Sequence, residues 1–234
     1  MYFKLSNIAK REQMEGLFEV SFKHPHLYKP EVVINGLTET NLPIITTMDP
    51  HQISFAIWGL LPKDYHDDWS IFQNTCNTLN IEESQLDSEL WFVSAFEQRR
   101  CLILVTGFFT SYLRNGEVYP YYIGLKSEEP FFLAGIYNVL EDGFITCSLL
   151  VGEASSFVKR FQNVVDCMPI IIPRKQARLW LDKGTSPDKA KQLVREPKRL
   201  NLHANPIAKE FFNRNISYDS MLEPYDYPNL PPGV

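Results

Sequence analysis

The sequence predicts an α+β fold, in which flanking helices pack on a mostly antiparallel curved sheet or partial β-barrel. Three observations indicate it. Apolar runs of strand length recur along the chain, and segments with helical periodicity lie between them. Two Gly-containing dipeptides separate aromatic and β-branched runs, which is typical of β-hairpins. The 234 residues contain no repeat and no linker, so we expect one domain over residues 1–234, with a Pro-rich tail from about residue 223.

The strands are predicted from their apolar runs. "LPIITTM" and "QISFAIWGL" have strand composition, and "CLILVTGFF" is a continuous apolar run that suits a strand buried on both faces. Asn115-Gly116 then predicts a type I′ hairpin, and Asp142-Gly143 predicts a second one. Residues 61–84 lose periodicity and gather polar side chains, which favours a long ordered loop with one helical turn.

Helical periodicity and capping signals predict several helices. In chain order they are "NIAKREQMEGLF", "DSELWFVSAFEQR", "EASSFVKRFQNV", "PRKQARLWLDKG" and "SPDKAKQLV". The first would place Ile8, Met14 and Leu17 on one apolar side, and the second opens on an Asp-Ser cap signal. Pro173 suits the first position of the fourth helix, and Ser186 caps the last. The tail "EPYDYPNLPPGV" is expected to lie extended or to fray.

Composition excludes several classes of protein. The net charge of -5 gives no sign of wholesale polyanion binding, although a local basic patch is compatible with it. No apolar run approaches the ~18 residues of a membrane helix, and the N-terminus lacks the apolar stretch of a signal peptide. We therefore expect a cytoplasmic protein with no membrane partner. The four cysteines show no CxxC spacing and predict no disulfide framework.

Motifs of several common sites are missing from the sequence. "LVTGFF" and "LVGEAS" each hold one glycine, too few for a dinucleotide-binding turn, and no G-x-S-x-G elbow is present. His24 and His26 are the only clustered histidines and lack a further ligand pair, so no metal site is expected. Acidic pairs such as Glu82-Glu83 are expected to be surface charges. We predict no cofactor.

Four segments match, in order and spacing, the motifs of one known family. "FAIWGLLP" resembles W-G-L-I-P, and "NTLNIEE" resembles N-T-L-N-A-R. "RRCLILVTGFFTSY" resembles R-C-L-x-x-A-D-G-F-Y-E-W, and "FQNVVDCMPIII" resembles I-H, a short spacer and R-M-P-V-I-L. The flanks "LPIIT" and "NPIAKEFFNRNISYDSMLEP" fit as well. Over nearly its whole length the chain resembles the SRAP family, the SOS-response-associated peptidase proteins that process abasic sites in DNA.

This resemblance implies a chemistry that depends on one residue. Family members carry a cysteine directly after the initiator methionine. Once that methionine is removed, the α-amine adds to the aldehyde of an open abasic site, and the thiol closes a thiazolidine ring. The family's glutamate in G-F-Y-E-W and its histidine before R-M-P transfer protons, while its arginines hold single-stranded DNA. The resemblance thus implies crosslinking, lyase and self-processing peptidase activity on DNA with abasic sites.

The chain departs from that pattern at nearly every chemical position. Tyr2 stands where the cysteine belongs, and Thr110 matches the glutamate. Gln162 matches the histidine, or Val165 does if the spacer is shorter. Asn80 alone is retained. Whether the protein is an enzyme is therefore open, because none of the replacing groups can transfer protons near pH 7.

Four positions match the family's DNA contacts, and two of them are altered. The four are Lys4, Trp58, Glu82 and Cys167. Glu82 replaces the arginine of N-A-R and Cys167 replaces that of R-M-P. A glutamate in place of a phosphate-binding arginine reverses the local charge and opposes DNA.

Three functional interpretations stay open. The first is a catalytically degenerate SRAP-like protein of the abasic-site response that binds at most single-stranded or damaged DNA. The second is an enzyme of shifted chemistry, with a relocated thiol at Cys76 or Cys167. The third is a pocket repurposed for a small polar ligand or a protein partner.

Two structural expectations follow from the resemblance. We expect Met1 to remain, because Tyr2 is bulky. We also expect the four matched positions of the catalytic set to meet in one pocket, with Trp58 near or beneath it. These positions are Tyr2, Asn80, Thr110 and Gln162.

Overall fold

The structure is a computed structural model that describes residues 2–87, 90–196, 200–213 and 218–230. These residues form five α-helices and fourteen β-strands. The helices are α1 Arg11–Phe18, α2 Trp69–Thr75, α3 Leu90–Gln98, α4 Arg174–Leu181 and α5 Pro187–Arg195. The strands are β1 Lys4–Asn7, β2 Ser21–Phe22, β3 Glu31–Asn35, β4 Asn41–Thr46, β5 Gln52–Trp58, β6 Asn80–Glu82, β7 Arg100–Val105, β8 Gly107–Arg114, β9 Glu117–Leu125, β10 Phe131–Val139, β11 Ile145–Glu153, β12 Cys167–Pro169, β13 Ile171–Ile172 and β14 Leu202–Pro206.

Two sheets organise the molecule. The smaller one has the strand order β14-β9-β8-β1-β3, and the larger follows β12-β11-β10-β7-β4-β5-β2, with β13 beside β10 and β6 beside β11. Most pairings are antiparallel, whereas β2–β5, β5–β11 and β6–β11 are parallel. Because β11 pairs with both β10 and β5, the larger sheet curls back on itself. The predicted α+β fold with a curved, mostly antiparallel sheet is confirmed.

The two faces of the larger sheet bury different cores. Side chains alternate between faces along each strand, so neighbours such as Ile44 and Ile45 enter different clusters. Ile44 packs in the cluster that also holds Tyr2 and residues of the smaller sheet. Ile45 packs in a second cluster with residues of α1, α3, α4 and α5. The sheet therefore separates a face that carries the N-terminus from a face covered by four helices.

A corner at Thr106 links the two sheets. The predicted continuous strand "CLILVTGFF" is divided there, because β7 lies in the larger sheet and β8 in the smaller. The Thr106 N–H donates to the Ser6 carbonyl at 2.8 Å, and Ser6 pairs with Gly107. A Cβ at Gly107 would lie 2.2 Å from the Tyr122 ring, whose hydroxyl donates to the Thr106 carbonyl at 2.9 Å. Only glycine admits this ring at the corner.

Two segments differ from their predicted structure because distant strands pair with them. The first predicted helix begins only at Arg11, since Lys4–Asn7 forms β1 between β3 and β8. Ile8 is consequently exposed, while Met14 is buried as expected. The predicted loop over 61–84 contains α2, capped by the Asp68 side chain accepting from the Ser70 N–H at 2.7 Å, and then β6.

The predicted helix "EASSFVKRFQNV" is wrong. Only a 3₁₀ turn forms there, over Val158–Arg160. The Asn163 amide bonds both main-chain groups of Leu113 on β8, accepting at 2.7 Å and donating at 2.8 Å. Such long-range contacts override the local helical periodicity.

Local turn and cap signals gave better predictions. Asn115 and Gly116 have φ of 51° and 80°, and Arg114 pairs with Glu117, as a type I′ hairpin requires. The second hairpin forms with a wider loop over 140–144, since its last strand pair is Val139 with Ile145.

The helix ends follow their capping signals with small shifts. The Ser186 hydroxyl caps α5 by accepting from the Lys189 N–H. Pro173 occupies the N-cap position of α4, without a capping hydrogen bond, rather than its first helical position. The expected cap at Ser88 lies outside the described residues.

The C-terminal tail packs on the domain as far as it is described. The Tyr225 N–H donates to the Pro206 carbonyl at 2.8 Å, and the Tyr227 hydroxyl donates to the Ile207 carbonyl at 2.8 Å. The tail is thus extended from Pro224 to Tyr227 and then turns, with the Leu230 N–H donating to the Tyr227 carbonyl at 3.0 Å. Among the described helices, none is long and apolar enough to cross a membrane.

The corner predicts a stability difference between two glycine substitutions. Gly107→Ala should lower the free energy of unfolding by about 1–3 kcal/mol, because the new methyl group displaces the Tyr122 ring. Gly16→Ala, in α1, places its methyl group where no atom lies within 4 Å and should raise that free energy by about 0.5–1 kcal/mol. Urea denaturation of both variants measures these changes. Equal stability of the two variants would contradict the described corner.

Candidate functional site

The site begins with the main chain of Tyr2, which the side chain of Asn80 holds at two points. Asn80 Oδ1 accepts from the Tyr2 N–H at 2.6 Å, and Asn80 Nδ2 donates to the Tyr2 carbonyl at 2.6 Å. Asn80 is itself positioned by β6, where it pairs with Leu149 of β11. Both bonds go to main-chain atoms. They therefore fix residue 2 whatever side chain it carries.

The Tyr2 side chain points into the core of the domain. The ring is 4% exposed and lies edge-on to Phe108, with 5.8 Å between the centroids. Its hydroxyl donates to Gln162 Oε1 and lies 3.1 Å from the Cys167 carbonyl oxygen. Burial raises the pKa of this hydroxyl well above its usual value, so it stays protonated.

Gln162 holds the loop that faces Tyr2. Its Nε2 donates to the Val165 carbonyl at 2.8 Å and to the Cys167 carbonyl at 2.6 Å, while its Oε1 receives the Tyr2 hydroxyl. Of the two candidates for the family's histidine position, Gln162 is therefore the one whose side chain meets residue 2. Val165 contributes its carbonyl.

Thr110 joins this cluster through the residue before Gln162. Its hydroxyl donates to the Phe161 carbonyl at 2.9 Å, and its side chain is buried. The structure thus brings the four expected positions together, with Tyr2 bonded directly to Asn80 and Gln162. Tyr2, Thr110 and Gln162 are buried and Asn80 is half-buried, so the four positions form a packed cluster around the Tyr2 side chain. Their functional roles stay predictions.

The residues expected to contact DNA lie in different environments. Trp58 is fully buried, and its indole N–H donates to the Leu79 carbonyl at 2.8 Å, which supports the start of β6 from beneath. In this structure it offers no surface to a nucleic acid. Lys4 donates to the Phe211 carbonyl at 2.6 Å and lies 4.1 Å from that ring, and burial lowers its pKa.

The two remaining positions lie at the edge of the cluster. Glu82 is exposed, and its carboxylate caps the 3₁₀ turn Glu83–Gln85 by accepting from a main-chain N–H of that turn. Cys167 is half-buried, and burial raises the pKa of its thiol, an effect that the Glu82 carboxylate reinforces. A raised thiol pKa disfavours the thiolate and so weakens Cys167 as a relocated nucleophile. Cys76 is exposed at the end of α2.

Two contributors to the site were not among the expected site residues. Phe108 supplies the ring against which Tyr2 packs, and the matched segment "RRCLILVTGFFTSY" indicates it only as part of the scaffold. Asn163 connects the Gln162 loop to β8 through two hydrogen bonds with Leu113, and no motif or periodicity in the sequence predicted this role. Met1 lies outside the described residues, and its retention stays a prediction. Among the described side chains, no three His, Cys, Asp or Glu are grouped to hold a metal ion.

Two bacterial proteins of solved structure share this fold. A protein of Bacteroides thetaiotaomicron superposes with a TM-score of 0.85 at 21% identity, over 95% of this chain and 99% of that one. A protein of Bordetella bronchiseptica gives a TM-score of 0.73 at 14% identity, over 88% of this chain and 99% of that one. At these identities the likeness concerns the fold alone.

Sequence relatives extend the comparison beyond the fold. The abasic site processing protein YMR114C of Saccharomyces cerevisiae is 24% identical over 162 residues, which are 68% of this chain and 43% of that protein. The abasic site processing protein HMCES of Xenopus tropicalis is 24% identical over 210 residues, 75% of this chain and 61% of that protein. The chain thus spans about half the length of these relatives. The family SOS response associated peptidase (SRAP) matches residues 1–214, and the chain belongs to the SRAP family.

Proposed function

We propose that this protein acts in the response to abasic sites in DNA, as a SRAP protein that binds single-stranded or damaged DNA without a covalent bond to it. Family membership and the two abasic site processing relatives support the DNA part of the proposal. One observation carries the non-covalent part. The Tyr2 side chain lies buried where the family's reactive residue would be, with its hydroxyl bonded to Gln162.

The chemistry of residue 2 explains why no covalent adduct with the abasic-site aldehyde is expected. An imine with an aldehyde needs a free amine, whereas the nitrogen of an internal Tyr2 is an amide that donates to Asn80. Closure to a stable ring needs a thiol on the next carbon, and a protonated phenol cannot replace it. Thr110 and Gln162 are not acids or bases near pH 7, and their hydrogen bonds hold the 161–167 loop.

The charges around the site favour weak DNA binding. Lys4 is tied to a carbonyl, and Lys159 pairs with Glu153 at 2.7 Å. Glu82 adds an exposed negative charge. Arg160 lies beside the cluster, 5.3 Å from the Phe161 ring. We therefore propose a weak affinity with a shallow salt dependence, because few phosphate contacts release few counterions.

The alternative function, a pocket for a small polar ligand or a protein partner, requires the Tyr2 ring to leave its place. The buried ring and its hydrogen bonds make this the less favoured proposal. A cytoplasmic location and a single domain over residues 1–234 also stay predictions.

The covalent chemistry can be tested by restoring the missing groups. The unmodified chain, incubated with single-stranded abasic DNA, should run as free protein on a denaturing gel. Tyr2→Cys provides a small second residue, hence methionine removal, an amine and a thiol, and should crosslink slowly. Adding Thr110→Glu and Gln162→His should speed the reaction, since a well-placed proton-transfer group contributes about 10²–10⁴-fold.

Tyr2→Ser is the matched control for that experiment. It also exposes an amine but lacks the thiol, so its adduct should appear only after borohydride reduction. A heat-stable adduct of the unmodified chain would overturn the proposal and revive Cys76 and Cys167 as nucleophiles. An inert Tyr2→Cys/Thr110→Glu/Gln162→His variant that is folded would favour the repurposed pocket.

The DNA interaction can be tested through the charge at Glu82. Glu82→Arg should tighten binding of single-stranded DNA and make the slope of log K against log salt more negative by about 0.7, the value for one added phosphate contact. Glu97→Arg is the control, because it makes the same charge change on α3, on the other face of the larger sheet. Fluorescence anisotropy at several salt concentrations measures both. Identical slopes of log K against log salt for the two variants would show that DNA does not bind near Glu82.

A further inference from the structure

A cleft lies on the helix-covered face of the larger sheet, between the end of α1 and the start of α4. Its volume is about 960 Å³. Ile45, Leu102 and Phe132, one from each of three adjacent strands, form an apolar floor and are at most 3% exposed. Phe18 forms a wall and packs on Phe132 with 4.1 Å between the ring centroids. Because side chains alternate across the sheet, this cleft is separated from the Tyr2 cluster by the sheet itself.

Positive charge stands along one side of the cleft. Arg174, Lys175 and Arg178 line it and are exposed, all within the first five residues of α4. Within the described part of the chain, none of these side chains has an ion pair or hydrogen bond. Arg174 and Arg178 are four residues apart, so they lie on the same helix face and repel each other. An anion between them would relieve that repulsion.

The acidic groups of the cleft leave part of this charge unbalanced. Asp182 accepts from the Gly184 N–H at 2.8 Å and raises the pKa of the buried Arg100, although burial lowers that pKa by more. Its carboxylate therefore already has partners. Glu19 stands on the opposite wall, at the end of α1. The three cations of α4 therefore stand opposite a single carboxylate, that of Glu19, on the other side of the apolar floor.

We propose that this cleft binds a small amphipathic anion, with an apolar body against the half-buried Phe18 and Val20 and a carboxylate, sulfonate or phosphate toward Arg174 and Arg178. The volume lies within the range of about 300–1,000 Å³ of small-molecule sites, and such sites combine apolar walls with a few placed charges. A DNA backbone, which is polar and charged, would not bind in an apolar recess of this kind. The proposed site is independent of the DNA function and lies on the other face of the sheet.

Fluorescence titration with 8-anilinonaphthalene-1-sulfonate, an amphipathic anion, tests the proposal on the full chain. The double variant Arg174→Gln/Arg178→Gln should weaken binding by about tenfold. The double variant Lys63→Gln/Lys126→Gln removes the same charge from two exposed lysines outside the cleft and should change binding less than about twofold. Phe18→Ala should also weaken binding, through the loss of the aromatic wall. All substituted cations are exposed, and thermal melts should show that each variant keeps its fold.

Competition experiments distinguish the contributions of the apolar body and the anionic group of the ligand. Octanoate should displace the dye, octanol should do so more weakly, and inorganic phosphate alone should not. Equal dye binding by the two double variants would overturn the proposal, as would displacement by phosphate as effective as by octanoate. A loss of single-stranded DNA binding in Arg174→Gln/Arg178→Gln, but not in the lysine control, would assign the cleft to nucleic acid and would also overturn it.

Discussion

The two hydrogen bonds between the Asn80 amide and the main chain of Tyr2 are the interaction on which the site depends. They fix the start of the chain against β6, and they require a side chain that both accepts and donates, which asparagine provides. The Tyr2 ring then enters the core, and its hydroxyl reaches Gln162 across 160 positions of sequence. The remaining contacts of the cluster arrange the 161–167 loop around that ring.

We propose that the matched residues occupy the place of a SRAP site but have a different role here. Hydrogen bonds to carbonyls, from Thr110 to Phe161 and from Gln162 to Cys167, stabilise the loop at the positions where the family's acid and base would stand. Buried polar groups of this kind must be paired, because an unpaired one costs about 1–3 kcal/mol. We therefore propose that Thr110 and Gln162 support the loop rather than transfer protons.

Sequence reasoning succeeded where short-range signals decide the structure. Asn115-Gly116 fixed its hairpin through two positive φ angles, and Ser186 began its helix through a side-chain cap. It failed where distant partners decide, as at residues 153–164, whose helical periodicity yields to the bonds of Asn163 with β8. In the site, motif matching identified which positions converge. It could not reveal that the Tyr2 ring is buried, because orientation at a chain start depends on contacts made far along the sequence.

The most direct test of the account is a double-mutant cycle on unfolding free energy, with Tyr2→Phe and Gln162→Met. The phenol–amide hydrogen bond is present only when both native residues are, so the cycle isolates it from the other bonds of Gln162. The account predicts a coupling free energy of about 1–2 kcal/mol, the size of one buried hydrogen bond. A coupling below about 0.3 kcal/mol would show that the two side chains do not meet, and would contradict a site closed by its own second residue.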